Sequence, residues 1–188
     1  MSDDRLILET QRLAIRRLDE DDAPFMLALL NDEAFIRFIG DRQVRTQEEA
    51  RTYIRTGAMA SYAEHGHGLY LVESRQLRAP IGTCGILRRE TLPDPDLGFA
   101  FAAEHRAKGY GREAASAVLQ YAKNVLGIAR IAAIVSPANE PSLRLLFSLG
   151  FLFERMVRMT EDEPEILYLT RELDGATRAG IAPPASGG

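Results

Sequence analysis

The segment from Leu97 to Ala114, LGFAFAAEHRAKGYGREA, constrains the fold more than any other part of the chain. It begins as a short apolar strand, continues through a turn with two glycines, and ends as the first turn of a helix. This order directs backbone N–H groups and the positive end of a helix dipole at one point, which favours a bound anion such as a phosphate. Gly109 and Gly111 let the main chain approach a ligand closely because they lack a Cβ atom. The alternative is an ordinary strand–turn–helix whose glycines only start the helix.

Two common phosphate loops do not fit this segment. A P-loop requires Gly-x-x-x-x-Gly-Lys-Ser/Thr, and the sequence contains no such run. Gly109-x-Gly111-x-x-Ala114 has the spacing of the Rossmann fingerprint, but that motif opens directly after a strand and precedes an acidic residue by about 20 positions. Here residues 104–108 separate the strand from the first glycine, and the next apolar strand, residues 130–136, contains no acid. The context therefore argues against a dinucleotide fold.

The hexapeptide Arg106-Ala107-Lys108-Gly109-Tyr110-Gly111 resembles motif A of the GNAT superfamily of acyl-CoA-dependent N-acetyltransferases, Gln/Arg-x-x-Gly-x-Gly/Ala. Two flanking stretches strengthen the resemblance. Residues 136–151 are similar to the superfamily's second half: a strand, an Asn-x-x-Ser helix start and a helix that ends in Gly-Phe. Residues 9–16 resemble the opening Thr-x-Arg-Leu-x-Leu-Arg strand of the RimJ/RimL-like branch, the ribosomal-protein N-terminal acetyltransferases and their relatives. The resemblance covers roughly residues 8–173.

Local patterns predict the element order β-α-α-β-β-β-α-β-α-β-β. Helices are predicted at about 22–31, from a capping box at Thr46–Glu49 onward, at 110–126 and at 139–150. Strands are predicted at about 11–18, 67–74, 80–89, 96–102, 129–135, 151–159 and 165–172. Because a helix crosses between them, strands 96–102 and 129–135 should be parallel. The chain is thus predicted to be α+β, with a mixed, mostly antiparallel twisted sheet flanked by helices. The resemblance implies the GNAT fold, in which the parallel pair splays apart.

The length of 188 residues fits one domain. We expect residues 1–173 to form a single acetyltransferase domain. We expect residues 174–188, where Gly, Ala, Pro and Ser dominate, to be a disordered tail.

Charge and cysteine usage bound the partners and the compartment. The formal net charge of −4 argues mildly against nucleic acid as the main partner and for a cationic amine substrate. The single Cys84 cannot form an internal disulfide, and no signal peptide or membrane-length apolar run is visible, so we expect a cytoplasmic protein without a membrane partner. A homodimer is left open. The motif His65-Gly-His67 lacks partners at metal spacing, so no metal is expected.

The resemblance implies acetyl-CoA as the acetyl donor. The backbone from Phe99 to Ala102 would bind the pantetheine amides as a neighbouring strand does. The N–H groups from Arg106 to Arg112 would hold the pyrophosphate, with added charge from Lys108 and Arg112, although both are also ordinary for a solvated helix start. His105 would pack over the cofactor. The predicted cofactor-binding residues are Phe99, Phe101, Ala102, Arg106, Ala107, Lys108, Gly109, Tyr110, Gly111, Arg112 and Asn139, the last also a helix cap.

Acetyl transfer from a thioester to an amine requires a neutral amine, a polarised carbonyl and a proton for the leaving thiolate. By resemblance to the RimL-like branch, Ser142 is the proposed proton donor; Phe147, near where other members have a Tyr, has no hydroxyl. Two carboxylates are candidates for the general base: Asp96, where relatives often carry Glu, and Glu161 in the last hairpin. The alternative interpretation of each of the three candidates is an ordinary polar residue without a catalytic role.

Three functions remain open. The first is acetylation of a protein or peptide N-terminus, whose α-amine pKa near 8 leaves it partly neutral without a strong base, unlike lysine. The second is acetylation of a small amine such as an antibiotic, a polyamine or an amino acid. The third is a module that binds acyl-CoA without transfer, against which the presence of Ser142 with Asp96 or Glu161 argues.

Overall fold

One mixed sheet of eight strands organises the part of the chain that the computed structural model describes, residues 5–174. The strands are β1 Leu6–Glu9, β2 Leu13–Arg17, β3 Leu69–Ser74, β4 Ala79–Leu87, β5 Asp96–Phe101, β6 Arg130–Val135, β7 Leu152–Val157 and β8 Ile166–Glu172. The helices are α1 Ala23–Leu30, α2 Glu33–Phe38, α3 Gln47–Ile54, α4 Ala60–His65, α5 Tyr110–Asn124 and α6 Glu140–Ser148. A π-helical turn, Arg55–Met59, joins α3 to α4.

The strand order is β1-β2-β3-β4-β5-β6-β8-β7. Within these eight strands, β5 and β6 form the one parallel pair, and they are in register at a single position, Asp96 opposite Ala132. The Ala132 N–H donates to the carbonyl of Pro95 at 2.8 Å, at the same place. Past this point the ladder stops, so the sheet forks between β5 and β6. The predicted α+β class and its splayed parallel pair are confirmed.

Helices cover both faces of the sheet. On one face, α5 buries Ala114, Ala115, Val118, Leu119 and Ala122 at helical spacing against apolar residues from six of the strands. On the other face, α1 and α3 form a second core with β3. The buried stripe ends with the helix, since Val125, its C-cap residue, is 66% exposed.

Three local features differ from the sequence prediction. The first predicted strand, at about 11–18, is β2, and β1, which was not predicted, pairs with it across a turn at residues 10–12. The helix after Thr46 has the predicted capping box but is interrupted by the π turn. The short α2 was missed. Apart from Asp174, the predicted C-terminal tail lies outside the described residues, and the single-domain assignment stays a prediction.

Candidate active site

A cavity of about 600 Å³ lies at the carboxyl end of β5. Its wall combines α2, the end of β5, the loop that follows, and the first turns of α5 and α6. The lining residues are Ala34, Phe35, Phe38, Ile39, Phe99, Ala100, Phe101, His105, Arg106, Ala107, Gly109, Gly111, Arg112, Asn139, Pro141, Ser142, Arg144 and Leu145. The cavity therefore collects eight of the eleven predicted cofactor residues and one of the three catalytic candidates.

The start of α5 is open to an anion. Gly109 is its N-cap residue, with a φ of 81°, and no side chain caps the helix. The first N–H groups of a helix have no acceptor within it, so these donors and the helix dipole are available at the cavity wall. Ala107 also has a left-handed backbone, with a φ of 57°. This conformation costs a residue with a Cβ atom about 1–2 kcal/mol. The two glycines are the sequence signal in this loop, and no sequence pattern indicated the left-handed backbone at Ala107.

Arg106 supports the loop with its side chain. Its Nε donates to the Phe101 carbonyl at 2.8 Å, and its guanidinium pairs with the carboxylate of Asp32 at the start of α2. The Arg106 backbone N–H donates to the Ala103 carbonyl at 3.3 Å, so it is already engaged in a turn. The main-chain donors free for a pyrophosphate therefore begin after Arg106, a correction to the predicted range. Burial acts to raise the pKa of Asp32, but hydrogen bonds from Arg106 and the α2 backbone outweigh it and lower that pKa.

The edge of β5 that faces the fork presents free main-chain groups. The Ala102 N–H donates to the Ile81 carbonyl of the neighbouring β4 strand at 3.0 Å. Because main-chain groups alternate sides along a strand, those of Phe99 and Phe101 face the gap toward β6, where the Phe101 carbonyl already accepts from the Nε of Arg106. Ala102 itself points toward β4 and does not line the cavity.

Arg112 is the free cation of the wall. Within residues 5–174 its guanidinium forms no ion pair or hydrogen bond, unlike that of Arg144, which pairs with Glu140 at 3.1 Å. Lys108 and Tyr110 do not line the cavity. The Lys108 carbonyl accepts from Arg12 at 2.9 Å, and the Tyr110 ring lies 4.6 Å from the Arg12 guanidinium carbon. Both residues belong to the outer side of the loop.

Asn139 and Ser142 lie together at the start of α6. The Asn139 side-chain oxygen accepts from the Ser142 N–H at 3.3 Å and so caps the helix, as predicted. The Ser142 hydroxyl has no hydrogen-bond partner in the described part of the chain and lines the cavity. Phe147, farther along the helix, is exposed and lies outside the wall.

The two carboxylate candidates lie apart from the cavity wall. Asp96 is 1% exposed at the apex of the fork, with an oxygen 3.0 Å from the Nε of Arg89. Burial raises the pKa of Asp96, while the charge and hydrogen bond of Arg89 act in the opposite direction. Glu161 is exposed in the loop between β7 and β8, where its carbonyl accepts from Arg158 at 3.4 Å. Of the three catalytic candidates, the structure brings only Ser142 into the wall.

The apolar wall of α2, formed by Ala34, Phe35 and Phe38 with the adjoining Ile39, was not predicted from the sequence. Asp32 was the available signal, because Asp is a favoured N-cap residue, and here its side chain accepts from the N–H groups of Ala34 and Phe35. His105 does line the cavity, edge-on to Tyr110 with ring centroids 6.4 Å apart. No cluster of three metal-ligating side chains occurs in residues 5–174, and no helix in that range is long and apolar enough to cross a membrane.

Comparisons with known proteins agree with this geometry. The family described as "Acetyltransferase (GNAT) domain" matches residues 12–152. The N-acetyltransferase YoaA of Bacillus subtilis, itself uncharacterised, is 33% identical over 153 residues, which cover 81% of this chain and 86% of YoaA.

Two solved structures that contain coenzyme A are similar in fold. RimL, a ribosomal L7/L12 α-N-protein acetyltransferase, has a TM-score of 0.77 and 17% identity, covering 90% of this chain and 98% of its own. The spermidine N-acetyltransferase of Vibrio cholerae, bound to CoA and spermine, has a TM-score of 0.72 and 18% identity, covering 88% and 98%.

Proposed function

Because this chain belongs to the GNAT acetyltransferase family, we propose that it acetylates the α-amine of a peptide or protein N-terminus. The predicted family, the GNAT fold and the enzyme class are confirmed: the chain is an acetyl-CoA-dependent N-acetyltransferase. The identity of the acceptor is the step proposed here. The opening motif at Thr10-Gln-Arg12-Leu13, typical of the RimJ/RimL-like branch, supports it.

The wall of the cavity fits acetyl-CoA. When bound, acetyl-CoA supplies the acetyl group as a thioester. The uncapped start of α5 and the free guanidinium of Arg112 would hold its pyrophosphate. The gap-facing N–H and carbonyl of Phe99 and the N–H of Phe101 would bind the pantetheine amides as a neighbouring strand does.

One observation supports the choice of acceptor: among residues 5–174, no carboxylate lines the cavity. A polyamine has several ammonium groups, and removing them from water is costly unless acidic side chains pair with them. A peptide N-terminus has a single amine followed by amides and side chains. The apolar wall of Phe35, Phe38 and Ile39 suits that kind of substrate better than a polycation.

The available base also suits an α-amine. Asp96 lies at the apex of the fork, roughly 16 Å along β5 from Phe101 at about 3.3 Å per residue. We propose that a chain of water molecules links its carboxylate to the amine, and that Ser142 donates the proton needed by the leaving sulphur. Glu161 remains the alternative base. An α-amine with a pKa near 8 requires less help to lose its proton than a lysine near 10.4.

The test is a panel of acceptors assayed with acetyl-CoA by release of free CoA. Peptides that start with Ser, Ala or Thr should be acetylated, the same peptides with a blocked N-terminus and an internal lysine should react more slowly, and spermidine and aminoglycosides should not react. Acetylation of polyamines or aminoglycosides without acetylation of free N-termini would contradict the acceptor assignment. The buried Cys84 thiol supports our further proposal of a cytoplasmic enzyme.

A further inference from the structure

The turn of the first hairpin reaches across to the start of α5. The Thr10 hydroxyl donates to one oxygen of the Glu113 carboxylate at 2.6 Å, and the Arg12 N–H donates to the same oxygen at 3.0 Å. The Arg12 Nε donates to the other oxygen at 2.6 Å. Burial acts to raise the pKa of Glu113, but these hydrogen bonds and the Arg12 charge outweigh it and lower that pKa. Glu113 is therefore an ionised carboxylate in the first turn of α5.

Arg12 also contacts the loop that precedes the helix. One terminal nitrogen of its guanidinium donates to the Lys108 carbonyl at 2.9 Å, and the guanidinium lies over the Tyr110 ring. A Cβ atom placed on Gly109 would lie 3.2 Å from the other terminal nitrogen. Arg12 thus packs against the outer side of three successive residues, on the side of the loop away from the cavity wall.

The position of Glu113 presents an electrostatic problem. A carboxylate in the first turn stabilises a free helix, but it also opposes the binding of a second anion at the same helix end. The carboxylate here is matched by the charge of Arg12, at an ion-pair distance of 2.6 Å. The pairing leaves the dipole and the Arg112 charge to act on a phosphate.

We infer that Thr10, Arg12 and Glu113 form a positioning clamp for the phosphate loop. The clamp holds the Lys108 carbonyl away from the cavity, so the loop keeps the left-handed backbone at Gly109, and it neutralises Glu113 beside the phosphate. This role rests on the pyrophosphate site proposed above. None of the three residues lines the cavity, so the clamp acts through the loop.

Calorimetric titration with CoA, in the absence of any amine, tests the clamp. Charge-assisted hydrogen bonds are stronger than neutral ones, so Arg12→Ala should weaken CoA binding by about ten-fold or more. At saturating acetyl-CoA its kcat should stay within about two-fold of the wild-type value, because the variant lowers affinity and not the chemical step. Arg12→Lys keeps the charge but cannot contact Glu113 and the Lys108 carbonyl together, so its CoA affinity should be intermediate.

A double variant distinguishes neutralisation of the Glu113 charge from a purely structural support of the loop. In Arg12→Ala/Glu113→Gln the unpaired carboxylate is removed, so CoA binding should recover part of the loss. A purely structural role predicts the opposite, since the double variant has fewer contacts than Arg12→Ala. Arg55→Ala is the matched control, because it removes an ion pair with Glu20 at the π turn between α3 and α4. This variant should bind CoA normally.

Wild-type CoA affinity in both Arg12→Ala and Arg12→Lys would overturn the clamp, and no recovery in the double variant would overturn its neutralising role. If Arg12→Ala fails to fold, as judged by circular dichroism, Arg12→Lys carries the test, and unchanged affinity there is equally decisive. Since no amine is present, neither result depends on the acceptor assignment. Failure of the wild-type chain to bind CoA would instead contradict the proposed pyrophosphate site.

Discussion

The backbone angle φ of Gly109 restricts which residues can occupy this position of the loop. Its φ of 81° is readily adopted by glycine and poorly by residues with a Cβ atom, and that Cβ would meet Arg12 at 3.2 Å. The sequence suggested a glycine needed for close approach to a ligand. The structure adds a second reason, the contact with Arg12 on the other side of the loop.

Gly109→Val should therefore weaken CoA binding by more than about ten-fold, because a β-branched residue disfavours the left-handed backbone that opens the site. Gly127→Val is the matched control. Gly127 also has a left-handed φ, 67°, but follows α5 at its other end with open space around it. The control should lose stability in a thermal melt yet retain CoA affinity by calorimetry. Unchanged CoA affinity in Gly109→Val would remove the pyrophosphate site from this loop.

Ser142 supplies the prediction for the chemical step. Its hydroxyl lines the cavity without a protein partner in the described residues, so in the proposed mechanism its proton would pass to the leaving sulphur. Loss of a general acid typically costs about 10²–10⁴-fold in rate, so Ser142→Ala should lower kcat by that order with CoA affinity retained.

Ser148→Ala, on the same helix, is the control for that experiment. The Ser148 hydroxyl donates to the Leu145 carbonyl at 2.7 Å and is exposed, so its loss should leave kcat unchanged. A normal kcat in Ser142→Ala would contradict the role of Ser142 as proton donor and leave it only as the residue whose N–H is capped by Asn139.

At the scale of elements, the fork between β5 and β6 determines where the candidate base lies. Asp96 occupies the last paired position, where burial raises its pKa and Arg89 acts to lower it. A base is active only when deprotonated, so kcat should rise with pH through the Asp96 pKa, above the value near 3.9 of an exposed Asp.

Arg89→Gln removes the group that lowers the pKa of Asp96, so the acid limb of the kcat profile should move to higher pH. Asp96→Asn should lower kcat across the profile and remove that limb. A limb that does not move in Arg89→Gln, or that persists in Asp96→Asn, would favour Glu161 or water alone as the base. The measurement is kcat against pH with saturating peptide and acetyl-CoA.

The elements also show what the sequence could and could not predict. Strands and helices with a sustained apolar period, such as α5 with Val118 and Leu119, were predicted because burial of one stripe is a local property. The α2 helix has six residues, too few for such a period, and depends on the Asp32 cap and its ion pair with Arg106. The pairing of Glu113 with Thr10 joins residues 103 positions apart, and no local pattern reports it.

For the whole molecule, the order of the sequence motifs predicted the fold more completely than it predicted which residues line the cavity. The strand, turn and helix from Leu97 to Ala114 were predicted because their signal is local: an apolar run, two glycines and the start of a helical pattern. The position of Asp96 away from the cavity, and that of Glu161 in an exposed loop, depend on how the sheet forks. The fork depends on where pairing between two strands stops, and the sequence of either strand alone does not determine that position.

The forked sheet has a consequence for cohesion. One ladder position joins a five-stranded half, β1 to β5, to a three-stranded half, β6 to β8, and the packing on the α5 side supplies much of the remaining attachment. A ligand that occupies the gap acts as a ninth strand and bridges the halves. Such a ligand raises stability by RT ln(1 + [L]/Kd), about 2.7 kcal/mol at one hundred times its Kd. The stability of the enzyme then depends on the cellular concentration of CoA. We expect the enzyme to resist unfolding and proteolysis when the coenzyme is abundant, and to be more susceptible to both when the coenzyme is scarce.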